Sequence, residues 1–345
     1  MKIVVAPDAF KECLSAGEVA AAVASALGQA LPGCETVELP VSDGGEGFVE
    51  VLTPALGGGI RTVEVSGPLG RPVRARYGVA GQTAVIEAAQ ACGLQLLRPE
   101  ERHPLQTGTR GLGELLLEAA GRGCRHFLVG LGGSATCDGG AGMLSVPGVK
   151  ELLREASIEV LCDVDNPFVG PSGAARVFAP QKGAGEQEVG MLEERMEAAA
   201  ERMLAETGVD VSAVPGAGAA GGLGGAFLAY AGAALRNGIG RVLDLTGFDR
   251  ELCGADLVIT GEGKSDRQTL RGKAALGVLR RSGSVPVALL SGRIEDARAL
   301  LDAGFRELVE VSPRELPLQE ALRPDVAKKN LREAVWQKMI NLAKQ

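Results

Sequence analysis

Lys2-Ile3-Val4-Val5-Ala6-Pro7-Asp8-Ala9-Phe10-Lys11 is the stretch that decides the fold. An apolar run this short, stopped by Pro7 and an acid, reads as a buried strand with polar residues just beyond its carboxyl end. Ser15-Ala16-Gly17-Glu18 then forms a capping box, and Val19, Val23 and Leu27 mark one face of a helix. Pro32-Gly33 turns the chain, Val37 to Leu39 is a second strand, and Gly45 to Leu56 a second helix. The same β-α rhythm returns late in the chain, at Leu257-Val258-Ile259, Val287-Ala288-Leu289-Leu290 and Leu308-Val309-Glu310-Val311. Both chain ends are therefore expected to build one doubly wound, flavodoxin-like parallel-sheet domain from residues 1–57 and 250–345.

Residues 58–249 read as an inserted mixed α/β domain. Thr62 to Val65, Val73 to Tyr77 and Thr83 to Ile86 alternate as a meander of short strands between glycine turns. A helix near Leu112 to Ala120, strands at Phe127 to Leu131 and Ile158 to Leu161, a charged helix from Glu188 to Glu206 and a Gly/Ala-rich helix after Pro215 follow. The fold class is thus α/β with two domains, and a cleft between them is the expected ligand site. Asp325 to Gln345 reads as a terminal helix carrying Trp336 and packed on the first domain.

Composition narrows the function. A net charge of −7 and a pI near 5.2 argue against nucleic-acid and anionic-membrane partners, which want a basic face. The chain opens on no secretory h-region and holds no apolar run of spanning length, so a cytoplasmic location is expected. Seven scattered cysteines without a C-x-x-C pair fit reduced thiols. With only His103 and His126, a His-rich metal site or a Ser-His-Asp triad has little support. Glycine stands out: 50 residues, about twice the usual share of about 7%. Many glycines cluster beside carboxylates, where bare backbone can approach an anion.

Five segments join acid, glycine and hydroxyl residues at a strand end. Asp8 and Lys11 follow the first strand, where open α/β sheets bind ligands. Ser42-Asp43-Gly44-Gly45-Glu46-Gly47 follows the second; Asp43 reads as a helix N-cap or as a functional acid. Gly132-Gly133-Ser134-Ala135-Thr136-Cys137-Asp138-Gly139-Gly140 leads from an apolar strand into a turn suited to phosphate. Cys137 there is expected to be an inert thiol. Asp163 and Asp165, on one side of a strand end, suit a hydrated Mg2+. Lys182 of Pro180-Gln181-Lys182-Gly183-Ala184 could neutralise a phosphate. The fifth segment is Thr260-Gly261-Glu262-Gly263-Lys264-Ser265-Asp266. Its Gly-Lys-Ser is no Walker A loop, because Val258 stands where that motif needs glycine. Gly216-Ala217-Gly218-Ala219-Ala220-Gly221 satisfies G-x-G-x-x-G but follows Pro215 rather than a buried strand, which argues against a Rossmann NAD site.

Taken in order along nearly the whole chain, these segments resemble the bacterial-type glycerate kinase family. The motifs that carry the resemblance are Ala6 to Lys11 with Leu14-Ser15-Ala16, Asp43 to Gly47, Leu131 to Thr136 and Asp138 to Gly140. Cys162 to Pro167, Pro180 to Ala184, Pro215 to Gly222 and Gly261 to Gly263 complete them. The resemblance implies ATP and Mg2+ as cofactors, D-glycerate as acceptor and 2-phosphoglycerate as product. Three positions depart from the family pattern: Cys137 in place of Asn, Cys13 in place of a small residue, and a shorter stretch from Met143 to Ile158.

On this reading Gly132, Gly133, Ser134, Lys182 and the loop of Gly216, Gly218 and Gly221 hold nucleotide phosphates. Asp163 or Asp165 carries Mg2+, and Asp8, Lys11 and Glu262 meet the substrate. Lys11 pairs the glycerate carboxylate or the moving phosphoryl group, and Asp43 or Asp138 takes the hydroxyl proton. The partners are small molecules, glycerate and ATP, with a homo-oligomer left open. A kinase for another small hydroxy acid and a non-catalytic metabolite-binding protein are the rival readings.

Overall fold

The computed structural model describes residues 1–339. Its strands are β1 (Lys2–Val5), β2 (Glu35–Glu38), β3 (Gly59–Ser66), β4 (Pro72–Ala80), β5 (Thr83–Glu87), β6 (His126–Gly130), β7 (Ser157–Leu161), β8 (Ala234–Arg236), β9 (Leu257–Ser265), β10 (Val287–Ile294) and β11 (Glu307–Glu310). Two compact units share them: residues 1–43 with 239–345, and residues 44–238.

In the first unit five parallel strands lie in the order β11-β10-β9-β1-β2. Counted along the chain this is 2-1-3-4-5, the flavodoxin-like doubly wound order. Ile3, Val4 and Val5 are fully buried, as a central strand covered on both faces requires. The helix Ala16–Ala30 starts on the expected box: the Ser15 hydroxyl accepts from the Glu18 N–H at 3.3 Å, and Glu18 accepts from the Ser15 N–H at 3.0 Å. Its Val19, Val23 and Leu27 enter the same core as Ala327, Leu331 and Val335 of the chain's last turns. The terminal helix runs Pro324–Ala334 and continues as one wider turn to Met339; its expected extension over 340–345 lies outside the described residues. Trp336 is 53% exposed and contributes little to that packing.

The second unit is a six-stranded mixed sheet, β3-β4-β5-β6-β7-β8. β3, β4 and β5 form the antiparallel meander, and β5 to β8 run parallel. Glu87, Gly130, Leu161 and Arg236 stand in one row across the carboxyl ends of the parallel strands. The helix Arg110–Gly121 lies so close to β3 that a Cβ on Gly111 would collide with the Ser66 carbonyl. The compact units part at 43/44 and 238/239 rather than at the expected 57/58 and 249/250. The reason is local: the helix Phe48–Ala55 receives the buried Glu87 carboxylate at its Val49 N–H, 2.8 Å away, and belongs with the second sheet. Of the two readings of Asp43, helix N-cap or functional acid, the first does not hold, because Gly47 occupies the cap position.

Candidate active site

Chemistry-bearing residues gather in each unit at the carboxyl ends of parallel strands. In the first unit the strand order reverses between β1 and β9, the position where doubly wound sheets take ligands. The Ala6 and Asp8 N–H groups extend the ladder onto the Ile259 and Gly261 carbonyls at 2.7 and 2.8 Å. Asp8 is thereby fixed beside the continuing strand β9. Burial, then repulsion from Asp43, push the Asp8 carboxyl up to about 8; Glu262 adds to this, while the Ala9 N–H and Lys11 oppose it. Lys11 is exposed on a tight loop closed by reciprocal Phe10–Leu14 backbone bonds of 2.9 and 2.8 Å, with Glu12 held at a φ of 60°. The Lys11 ammonium makes no ion pair among the described residues.

Glu262, the expected substrate contact, is buried and committed. Its Oε1 accepts from the Ser265 and Thr269 hydroxyls at 2.9 and 2.5 Å, and its Oε2 from Lys273 Nζ at 3.3 Å. It anchors the loop after β9 and orients Lys273 instead of offering a vacant oxygen. The sequence reading gave no role to Ser265, Thr269 or Lys273; their spacing after an acid was the available signal. β9 runs through Lys264 and Ser265 as extended strand, which removes any phosphate-loop geometry from that Gly-Lys-Ser.

In the second unit the loop after β6 leaves the Gly133 and Ser134 N–H groups without an acceptor among the described residues. Gly133 is exposed, with a φ of 75° that suits only glycine. Lys182 lies beneath, 3% exposed, its Nζ donating to Ser134 Oγ at 2.9 Å and to the Thr136 carbonyl at 2.7 Å. It makes no ion pair among the described residues, and burial pushes its ammonium down to about 8. Two N–H groups without an acceptor, next to a buried ammonium held only by neutral oxygens, are the chemistry with which a loop can meet an anion. Gly132 plays a different part, because a Cβ there would strike Gly45.

Other expectations are revised. Asp138 is not poised to take a proton: Oδ2 accepts from the Thr109 N–H (2.9 Å), Thr109 Oγ1 (2.8 Å) and the Gly142 N–H (3.0 Å), and Oδ1 from the Gly140 N–H (3.0 Å). A carboxylate with its lone pairs so engaged staples a loop. Gly216, Gly218 and Gly221 are set by close packing, and the Gly218 N–H is not available to the expected phosphate. Leu235, the Pro167 carbonyl and the Thr136 carbonyl stand where their side chains would begin, and the Gly218 N–H is spent on the Asn166 carbonyl at 3.0 Å. These glycines permit close backbone packing, and Ala220, Gly221 and Gly222 all take left-handed φ to achieve it. Asp163 Oδ1 accepts from Asn237 Nδ2 at 2.5 Å and the Gly238 N–H at 2.7 Å. Asp165 is exposed and unpaired among the described residues. Burial pushes the Cys137 thiol up to about 11, so it is inert.

A model of the glycerate kinase family matches residues 3–152 and 144–343. The chain belongs to the glycerate kinase family. The glycerate kinase of Bacillus subtilis (strain 168) is 42% identical over 354 residues, covering 93% of each chain. The glycerate 2-kinase of Escherichia coli (strain K12) is 40% identical over 360, covering 94% of this chain and 93% of its own. A crystal structure described as a glycerate kinase 2 of Salmonella typhimurium LT2 superposes with a TM-score of 0.86 at 38% identity, covering 100% of this chain and 98% of that one. In the first alignment 93% of 345 residues is about 321, so about 33 of the 354 positions have no counterpart here. The two family matches overlap at 144–152, inside the stretch that reads as shortened. There the short helices Ala141–Leu144 and Val149–Glu155 and the turn between them bury Met143, Val146, Val149 and Leu153, so the connection closes the core.

Proposed function

We propose that this chain is an ATP-dependent glycerate kinase that phosphorylates D-glycerate to 2-phosphoglycerate in the cytoplasm. The names of its relatives and the family match support the activity. The observation that carries it is the turn after β6, where the Gly133 and Ser134 N–H groups have no acceptor among the described residues and the buried Lys182 ammonium, without an ion pair among them, holds Ser134 Oγ. That arrangement suits a polyphosphate, and phosphoryl transfer depends on such positioning and charge neutralisation.

In this assignment Gly133, Ser134 and Lys182 hold the nucleotide phosphates. Lys11 meets the glycerate carboxylate. The acceptor hydroxyl oxygen attacks the γ-phosphorus, the bond to the ADP oxygen breaks, and Asp43 accepts the released proton, with Asp8 beside it. Mg2+ binds through one or two carboxylates together with water and phosphate oxygens. Asp165, exposed and unpaired among the described residues, fits that need. Asp163 orders the strand end beside it. When bound, the ion neutralises charge on the phosphate oxygens.

An acceptor scan tests the proposal: ADP release measured with D-glycerate, other small hydroxy acids and polyols. Release that requires D-glycerate supports it. Release with a different acceptor only, or ligand binding without ADP formation, contradicts it.

A further inference from the structure

We propose that Arg102 is a phosphate-binding residue of the nucleotide site, its guanidinium fork closing on the polyphosphate at the Gly133–Ser134 turn. This assignment rests on the reading of that turn as the phosphate cradle.

The segment containing Arg102 is tied to the cradle at both ends. The Leu94 N–H donates to the Gly133 carbonyl at 2.9 Å, and the Ala135 N–H to the Cys92 carbonyl at 2.8 Å. At the far end Thr107 Oγ1 donates to the Ala135 carbonyl at 2.8 Å. Midway, the Arg102 backbone lies against Gly183, where a Cβ would collide with the Arg102 carbonyl. Gly183 follows Lys182, whose ammonium holds Ser134. Arg102, Lys182 and Ser134 therefore belong to one connected patch of backbone.

Within that patch the carboxylates are already engaged. Arg98 takes Glu100 and Glu101 at 3.1 Å each, and Arg71 also takes Glu101 at 2.8 Å. Glu188 faces His103 at 3.3 Å and accepts from the Gly185 N–H at 2.8 Å. Arg102, like Lys182, has no carboxylate partner among the described residues. It is half-buried, its Nε is fully buried without an acceptor, and none of its guanidinium nitrogens has a partner among the described residues.

A guanidinium is always charged, carries five N–H donors and matches phosphate with two parallel hydrogen bonds. A buried donor left without a partner calls for an explanation. Two cations in one connected patch, Arg102 and Lys182, with two backbone N–H groups that have no acceptor among the described residues, ask for a ligand with several anionic oxygens. A nucleotide polyphosphate meets that demand, whereas a single carboxylate satisfies only part of it.

The test is calorimetric binding of ATP, ADP and adenosine to the full chain, with wild type, Arg102→Gln and Arg102→Lys compared, alongside the glycerate KM and the melting temperature. Arg102→Gln should weaken ATP and ADP roughly 10- to 100-fold and leave adenosine and the glycerate KM unchanged. Arg102→Lys keeps the charge but loses the fork, and should weaken ATP by roughly three- to tenfold. ATP binding by Arg102→Gln as tight as wild type overturns the assignment alone. Equal losses for ATP, adenosine and glycerate with a lower melting temperature also overturn it, because they mark a structural arginine. A wild-type chain that does not bind ATP overturns the reading of the cradle and this assignment with it.

Discussion

Replacing Lys182 by methionine separates a functional charge from a structural one. The ammonium is buried with hydrogen bonds to Ser134 and Thr136 and no carboxylate within ion-pair distance among the described residues. Its depression from 10.5 to about 8 corresponds to about 3 kcal/mol against the charged form near neutrality. Methionine fills similar space without that penalty, but it leaves the Thr136 carbonyl without its donor, which costs about 1–3 kcal/mol. The net change should lie between about zero and 2 kcal/mol in favour of the variant. That corresponds to a melting temperature unchanged or raised by up to about 3 °C. ATP affinity should fall roughly 10- to 100-fold, as expected for a lost charge-assisted contact.

The pH profile adds an independent check. Between about pH 8 and 10.5 the unfolded chain binds the Lys182 proton and the folded chain does not, so this residue makes wild-type stability rise with pH across that window. Lys182→Met should remove that rise. The assay is urea unfolding at pH 7, 8 and 10 together with ATP titration. A variant destabilised by more than about 3 kcal/mol at pH 7, binding ATP as tightly as wild type, would refute the reasoning.

Asp43→Asn should lower turnover by roughly 10²–10⁴-fold with little change in melting temperature. Asp138→Asn should instead lower stability by about 1–3 kcal/mol, because an amide cannot accept the four hydrogen bonds its carboxylate receives; the opposite pattern in unfolding and steady-state assays would reverse the two roles. Glu87 is buried, and burial raises its carboxyl from 4.5 to about 7. The folded chain holds this proton more tightly than the unfolded one across that window, so Glu87 makes stability fall by about 3 kcal/mol as pH rises from about 4.5 to 7. Glu87→Gln should remove that part of the fall, read as urea midpoints at pH 5 and 8; an unchanged pH dependence would show that Glu87 does not carry it.

The sequence disclosed the first unit almost completely, because its strands are unbroken runs of Ile, Val and Leu and its first helix begins with a readable cap. Strand order also followed, since parallel strands joined by helices leave few topologies. The boundary at 43/44 was hidden, because nothing around Phe48 shows that Glu87, far away in the chain, will take the Val49 N–H. Glycine was the least legible residue. Gly133 and Gly221 sit in similar glycine-rich strings, yet one exposes a vacant N–H and the other packs against the Thr136 carbonyl. Only the partner across the gap separates those uses. Carboxylates behaved alike: Asp138 reads in the sequence as an available acid, and only the hydrogen bonds it accepts from Thr109 and Gly142 reveal it as a loop staple. Arg102 gave no signal, because its distinction is that its neighbours' acids are already taken.

The most direct test of the account is proton-coupled ³¹P NMR of the product formed from D-glycerate, ATP and Mg2+ with the purified full-length chain. The account predicts a new phosphomonoester split into a doublet by the single C2 proton, appearing as ADP accumulates. A triplet from a C3 ester, or intact ATP beside unreacted glycerate, would contradict it.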